Sequence, residues 1–165
     1  MAISIQQPAA LAFLLAVAAA ISHVDWHRMI IPDRLNLFLA AGGLLVSLLL
    51  PPVDLMTSLA GILAGGVGLW LFRWGYRRLR GREGIGLGDV KFLAAAGAWT
   101  GVEGLAPLLL AASIAALGYA WIRTLMGQPL KASDRLPFGP FLCLGLLVVA
   151  MPQILTGRSI YDLML

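Results

Sequence analysis

Long apolar blocks separated by short charged links constrain this 165-residue chain more than any other feature. Hydrophobic residues make up 60% of the sequence and charged residues only 12%, with a mean hydropathy of +0.89. A soluble domain is nearer half apolar and a quarter charged. Because a helix needs about 20 mostly apolar residues to cross a bilayer, these blocks predict an all-α integral membrane protein.

Six apolar blocks lie along the chain, and together they predict one polytopic domain over residues 1–165. No Lys or Arg precedes the first block, so it lacks the basic region of a cleavable signal peptide and is expected to be retained. A turn over Thr100–Gly104 is predicted between the fourth and fifth blocks. The predicted spans are 8–24, 35–50, 55–74, 89–99, 105–125 and 138–152.

Basic residues are distributed unequally between the links. The links after the first, third and fifth blocks, with the block ends beside them, contain every Lys and Arg except Arg158. By the positive-inside rule, those links face the cytoplasm. We therefore expect six transmembrane helices in the cytoplasmic (inner) membrane, with both termini outside the cytoplasm. Topology and contact with acidic membrane lipid explain the net charge of +4, so no nucleic-acid partner is predicted.

Two acidic residues lie at the predicted cytoplasmic ends of apolar blocks. Asp25 follows the first block, and Asp89 begins the fourth block after a glycine-spaced turn. The predicted topology brings them to the same membrane depth, where a carboxylate is costly and marks a candidate functional site. Spacing alone leaves two interpretations open. The acids form a pair, or each is a separate interfacial residue, with Asp89 as a helix N-cap.

A pair of neighbouring carboxyl groups can hydrolyse a peptide bond without a metal or a covalent nucleophile. Like charges disfavour double ionisation, so the pair shares one proton and titrates as a unit. Aspartic proteases use this arrangement. The chain has a single cysteine, Cys143, and no Cys/His cluster with zinc spacing, so no metal or cofactor is expected. A metal site at His23 and His27 is disfavoured, because the first block is predicted to end between them.

Three sequence boxes occur in order along the chain. The first is DWHRMIIPDRLN from Asp25, the second is GIGLGDVKFLAAAGAWTG from Gly84, and the third is LPFGPF from Leu136. Together they resemble the boxes of the type IV prepilin peptidases, which are membrane aspartic peptidases of the GxGD type. The resemblance extends over about residues 24–147.

The resemblance implies that Asp25 and Asp89 are the catalytic acids. It also implies a set of residues that bind substrate or shape the site, namely Gly86, Gly88, Lys91, Pro32 and Asp33. The glycines would let the backbone approach the cleaved strand. Asp33 is not expected to be a catalyst, because family members also have Asn there. Lys91, two residues after Asp89, is expected to point away from it in a regular helix and to anchor the cytoplasmic side.

The implied function is removal of the basic leader peptide from type IV prepilins or pseudopilins at the cytoplasmic face. Bifunctional members carry an N-terminal segment with paired CxxC motifs and also N-methylate the mature pilin. That segment is not in this sequence, so cleavage without methylation is expected. A Flp-type pilin and a preflagellin-like protein are both open as substrates. Contact between the leader's positive charge and Glu83 and Asp134 is a further hypothesis.

Two other functions stay open on the sequence alone. A small transporter or assembly subunit would use the two acids for proton coupling, although such charges are expected nearer the middle of the membrane. A presenilin-like intramembrane protease would also contain a GxGD motif. The LPFGPF box and the small size of the chain argue against that second alternative.

Overall fold

The computed structural model describes residues 6–51, 53–81, 84–128 and 136–159. These residues form five helices and no strand, which confirms the all-α prediction for this part of the chain. The helices are α1 (Gln6–Arg28), α2 (Asp33–Leu49), α3 (Leu55–Arg80), α4 (Leu87–Leu125) and α5 (Gly139–Thr156). All of them except the 17-residue α2 are long and apolar enough to cross a membrane. The chain is therefore built as an integral membrane protein.

Helix α1 continues past the end predicted for the first block. It runs to Arg28 and stops where Met29 adopts a left-handed conformation, with φ of 55°. The prediction that the block ends between His23 and His27 is wrong, because both residues lie within α1. The Nδ1 atom of His27 is 2.8 Å from the carbonyl oxygen of His23, so this ring is engaged with its own helix.

The turn predicted over Thr100–Gly104 is reduced to a break at one residue, Gly101. Gly101 has φ of 67° and ψ of −177°, a conformation that essentially only glycine adopts. The described residues therefore form five helices rather than six, because α4 combines the fourth and fifth blocks. Near the break the hydroxyl of Ser58 donates to the carbonyl oxygen of Ala98 at 2.8 Å, which satisfies a buried acceptor.

The two parts of α4 run in opposite directions on either side of Gly101. Before the break, Lys91 lies beside Asp33 at the start of α2. After the break, the ring of Tyr119 packs edge-on against Trp26 at the end of α1, with centroids 5.8 Å apart. Since a short link joins the end of α1 to the start of α2, the second part of α4 returns to the end of the bundle from which the first part departs.

Helices α3 and α4 approach each other through glycines. A Cβ added at Gly61 would collide with the backbone of Gly97, and one added at Gly97 would collide with Gly61. A Cβ at Gly65 would lie 2.5 Å from the carbonyl oxygen of Leu93. Small residues in α3 thus allow the two helices to pack closely. Gly68 is an exception, because a Cβ there would meet no described atom within 4 Å.

The first part of α4 occupies the centre of the hydrophobic core. Phe92 is fully buried, and the indole nitrogen of Trp99 donates to the carbonyl oxygen of Leu39 at 2.7 Å, which joins α4 to α2. Buried side chains from the surrounding helices complete this core, including Leu14, Ile21, Leu142 and Leu146. The core thus fixes the first part of α4 against the helices that pack around it.

Candidate active site

Asp25 lies in the last turn of α1 and is buried, with 5% of its surface exposed. Its Oδ2 atom accepts a hydrogen bond of 2.8 Å from the backbone N–H of Gly139, the first residue of α5. The site thus draws on the first and third sequence boxes at once. A buried carboxylate needs such a donor, because burying a charge without a partner is costly.

Asp89 lies in the first turn of α4, three residues after the N-cap residue Gly86. Its carboxylate turns back toward the start of the helix, where a Cβ added at Gly86 would lie 3.2 Å from Oδ2. An acid at the N3 position of a capping box reaches back in this way. The interpretation of Asp89 as the N-cap is therefore wrong, because the GxGD turn places the helix start at Gly86 and Asp89 one turn inside it.

The GxGD turn is held by α3 and by the link after α1. The guanidinium of Arg73 donates to the carbonyl oxygen of Ile85 within the turn. A Cβ added at Gly84 would lie 2.6 Å from the ring of Tyr76, so the turn passes close to α3. These contacts explain how a glycine-rich segment presents Asp89 in one position. Arg73 belongs to the site although no sequence motif indicates it.

Both acids line one cavity of about 900 Å³. They are near enough for their charges to interact. The polar part of the wall also includes Asp33, Lys91 and the glycines of the GxGD turn. The apolar part comes from several elements, with Met29, Ile30, Ile31, Leu69, Leu109, Leu136, Phe138 and Leu142 as its members. Polar and apolar side chains thus line the same cavity, as is usual for a binding site.

Lys91 and Asp33 form an ion pair at this cavity. The Nζ atom of Lys91 lies 2.7 Å from both carboxylate oxygens of Asp33, and the two side chains are 50% and 72% exposed. Lys91 is thus directed at the first box, while Asp89 turns back toward Gly86. The pair joins the first box to the second.

The remaining predicted site residues shape the backbone. Pro32 is the N-cap residue of α2, and its carbonyl oxygen accepts the N–H groups of Leu35 and Asn36. Gly88 packs against Ile31, where a Cβ would lie 3.3 Å from that side chain. Glu83 and Asp134, considered as contacts for a basic leader, lie outside the described residues.

The contact between Gly139 and Asp25 could not be predicted from the sequence. The LPFGPF box was visible as a motif, but nothing local indicated that its glycine contacts Asp25. A Cβ at position 139 would lie 2.7 Å from Oδ2 of Asp25 and 2.9 Å from its Cγ. Leu136, Pro137 and Phe138 of the same box line the cavity. The third box is therefore a wall of the site.

A family model described as the type IV leader peptidase family matches residues 12–121. This match covers most of the chain and includes both acids of the cavity. The chain belongs to the type IV leader peptidase family. The matched range ends before Gly139, so it does not include α5. The contribution of α5 to the site rests on its hydrogen bond to Asp25. No solved structure matches this type IV leader peptidase chain.

Curated relatives agree with the type IV leader peptidase assignment. The chain is 41% identical over 132 residues to a prepilin leader peptidase/N-methyltransferase of Burkholderia pseudomallei (strain 1026b). It is 38% identical over 128 residues to that of Aeromonas hydrophila, and 37% identical over 128 residues to that of Escherichia coli (strain K12). These matches cover 80%, 78% and 78% of the chain but 42%, 44% and 56% of the relatives. The chain thus spans about half the length of the curated relatives it matches.

Proposed function

We propose that this chain is a membrane-embedded aspartic endopeptidase that removes the basic leader peptide from type IV prepilins or pseudopilins. The observation that carries this proposal is the cavity shared by Asp25 and Asp89, which come from separate sequence boxes. Family membership supports the same reaction class, because the curated relatives are named prepilin leader peptidases.

The mechanism follows from two carboxyl groups that share one proton. The ionised carboxylate takes a proton from a water molecule as the water oxygen attacks the scissile carbonyl carbon. The protonated carboxyl gives its proton to the carbonyl oxygen, which yields a neutral tetrahedral intermediate. Collapse of this intermediate breaks the C–N bond. One carboxyl group gives its proton to the leaving nitrogen, while the other takes a proton from a hydroxyl of the intermediate, so the pair again shares one proton. Water is the only co-reactant in this cycle.

The cavity walls support a substrate that is itself anchored in the membrane. Leu69 of α3, Leu109 of α4 and Leu142 of α5 line the cavity together with the two acids. Apolar residues of a pilin precursor would contact these side chains, while its scissile bond lies beside the two acids. Prepilin and membrane lipid are the proposed partners, with a preflagellin-like protein as the alternative substrate.

We also propose that these 165 residues cleave without N-methylating the product. The support is that Cys143 is the single cysteine of the sequence and is buried, so this chain supplies no paired CxxC motif.

The proposed setting is the inner membrane, with six passes and both termini outside the cytoplasm. Two observations support six passes. The charge distribution favours a cytoplasmic position for the links beside Asp25 and Asp89. The reversal of α4 at Gly101 lets its two parts cross in opposite directions.

Neutralising either acid tests the proposed reaction. Asp25→Asn and Asp89→Asn are each expected to lower leader removal by about 10²–10⁴-fold, because each removes one partner of a general acid–base pair. The measurement is co-expression with candidate prepilins, with mature N-termini read by mass spectrometry. The same spectra report the presence or absence of an N-methyl group.

Glu103→Gln is the matched control, because it neutralises an exposed acid beyond the Gly101 break. It should leave processing at the wild-type level. Full processing by either Asn variant would contradict the proposal, provided that the variant accumulates in the membrane like the control.

A further inference from the structure

We propose that the N-terminus of α5 holds Asp25 in its reactive position, with Gly139 as the positioning residue. The N–H of Gly139 is among the first four of α5, which have no carbonyl partner within their own helix. Its hydrogen bond of 2.8 Å to Oδ2 of Asp25 supplies that partner. The positive end of the helix dipole also favours a carboxylate at this point. The bond restricts the rotation of the Asp25 carboxylate.

Glycine is required at position 139 by the closeness of this contact. An added Cβ would lie 2.7 Å from Oδ2, 2.9 Å from Cγ and 3.0 Å from Cβ of Asp25. Real Cβ atoms essentially never approach other atoms that closely. Because the clash reaches the Cβ of Asp25 as well as the carboxylate, turning the carboxylate alone does not relieve it. A side chain at position 139 therefore forces Asp25 and the start of α5 apart.

A chain of aromatic rings independently fixes the start of α5 against the end of α1. Trp26, the neighbour of Asp25, packs edge-on against Tyr119 with ring centroids 5.8 Å apart. Tyr119 contacts Phe141 at 5.6 Å, and Phe141 contacts Phe138 at 6.4 Å. The donor and the acceptor of the Gly139–Asp25 bond thus lie on elements that are locked together by packing.

The kinetic test compares Gly139→Ala with Gly118→Ala in the purified full chain, and it rests on the proposed leader peptidase function. Gly118 is the matched control, because a Cβ there would meet no described atom within 4 Å. A displacement of about 1 Å should lower kcat for a full-length prepilin by about 100-fold, with KM within about twofold. Retention of kcat at the control level, or a rise in KM alone, would overturn the positioning role.

A second arm measures the contact without any cleavage assay. Gly139→Ala should lower the Tm of the otherwise wild-type protein in detergent. The same substitution should have little effect in an Asp25→Gly background, where the colliding atoms are gone. Equal Tm changes in the two backgrounds would show that Gly139 and Asp25 do not interact, and the inference would fail.

The two arms separate failure of this inference from failure of the proposed function. Suppose that the wild-type chain cuts no prepilin, while Gly139→Ala lowers the Tm only when Asp25 is present. The proposed function is then wrong, and the contact between Gly139 and Asp25 is confirmed. If Gly139→Ala does not fold, Tyr119→Leu replaces it, since loss of this ring loosens α5 against Trp26. Tyr119→Leu should lower kcat at constant KM, and an unchanged kcat would overturn the inference.

Discussion

At the scale of single residues, the cavity contains three acids whose surroundings differ. Asp25 accepts a hydrogen bond from the backbone N–H of Gly139, and Asp89 turns back toward Gly86. Asp33 is 72% exposed and pairs with Lys91 instead. An exposed ion pair contributes only about 0.2–1 kcal/mol, because solvent screens both charges. The geometry therefore assigns Asp33 a supporting role.

Asp33→Asn is expected to lower leader removal by no more than about fivefold, which corresponds to the upper limit of about 1 kcal/mol for an exposed pair. The measurement is the rate of prepilin cleavage beside that of Asp89→Asn. Added salt should narrow the gap between Asp33→Asn and the wild type, because it screens the pair. A loss as complete as that of Asp89→Asn would place Asp33 in the reaction itself.

At the scale of helices, the contact between α3 and α4 determines where the GxGD turn lies. Gly61 meets the backbone of Gly97, and Gly65 meets that of Leu93. Closer to the site, the guanidinium of Arg73, also in α3, donates to the carbonyl oxygen of Ile85. The glycine contact therefore positions the arginine that holds the turn.

Gly61→Ala is expected to destabilise the protein by about 1–3 kcal/mol, because the added methyl group has no room against Gly97. Gly68→Ala lies on the same helix and should be neutral or stabilising by up to about 1 kcal/mol, since alanine is the better helix former. The measurement is the free energy of unfolding of Gly61→Ala and Gly68→Ala in detergent micelles. Equal stabilities would mean that α3 and α4 do not pack through Gly61.

At the scale of the whole molecule, the ends of the helices divide into two sides. The ends that carry Asp25, Asp89 and most of the basic residues lie together. The Gly101 break lies at the far end of the first part of α4. With the basic links in the cytoplasm, the proposed topology places the Gly101 break outside.

Cysteine labelling in right-side-out membrane vesicles measures this orientation. The native Cys143 is buried and should react little with an impermeant maleimide. Glu103→Cys should react in intact vesicles, because position 103 is exposed next to the Gly101 break. Leu79→Cys, at a position that is 86% exposed near the end of α3, should react only after permeabilisation. Labelling of Leu79→Cys in intact vesicles would contradict the proposed topology.

Much of the architecture could be predicted from the sequence, because it depends on local properties. The length and hydropathy of a segment decide whether it partitions into a bilayer as a helix. The predicted blocks accordingly match the helices to within a few residues at most ends. Asp25 and Asp89 stand out for a related reason, since a carboxylate beside an apolar block is costly wherever the chain goes. The predicted ends failed at His27 and Gly101, where single backbone conformations decided the outcome. The predicted end of the third block was also wrong, because α3 continues six residues further, to Arg80.

The arrangement of the site was decided only by the tertiary structure. Contacts between Gly139 and Asp25, or between Lys91 and Asp33, join residues that are distant along the chain. No local pattern encodes such a pair, because its formation depends on how several helices pack at once. The sequence by itself determined a helical membrane protein with two costly acids. Packing of the helices decided that these acids share one cavity and that the start of α5 forms a wall of it.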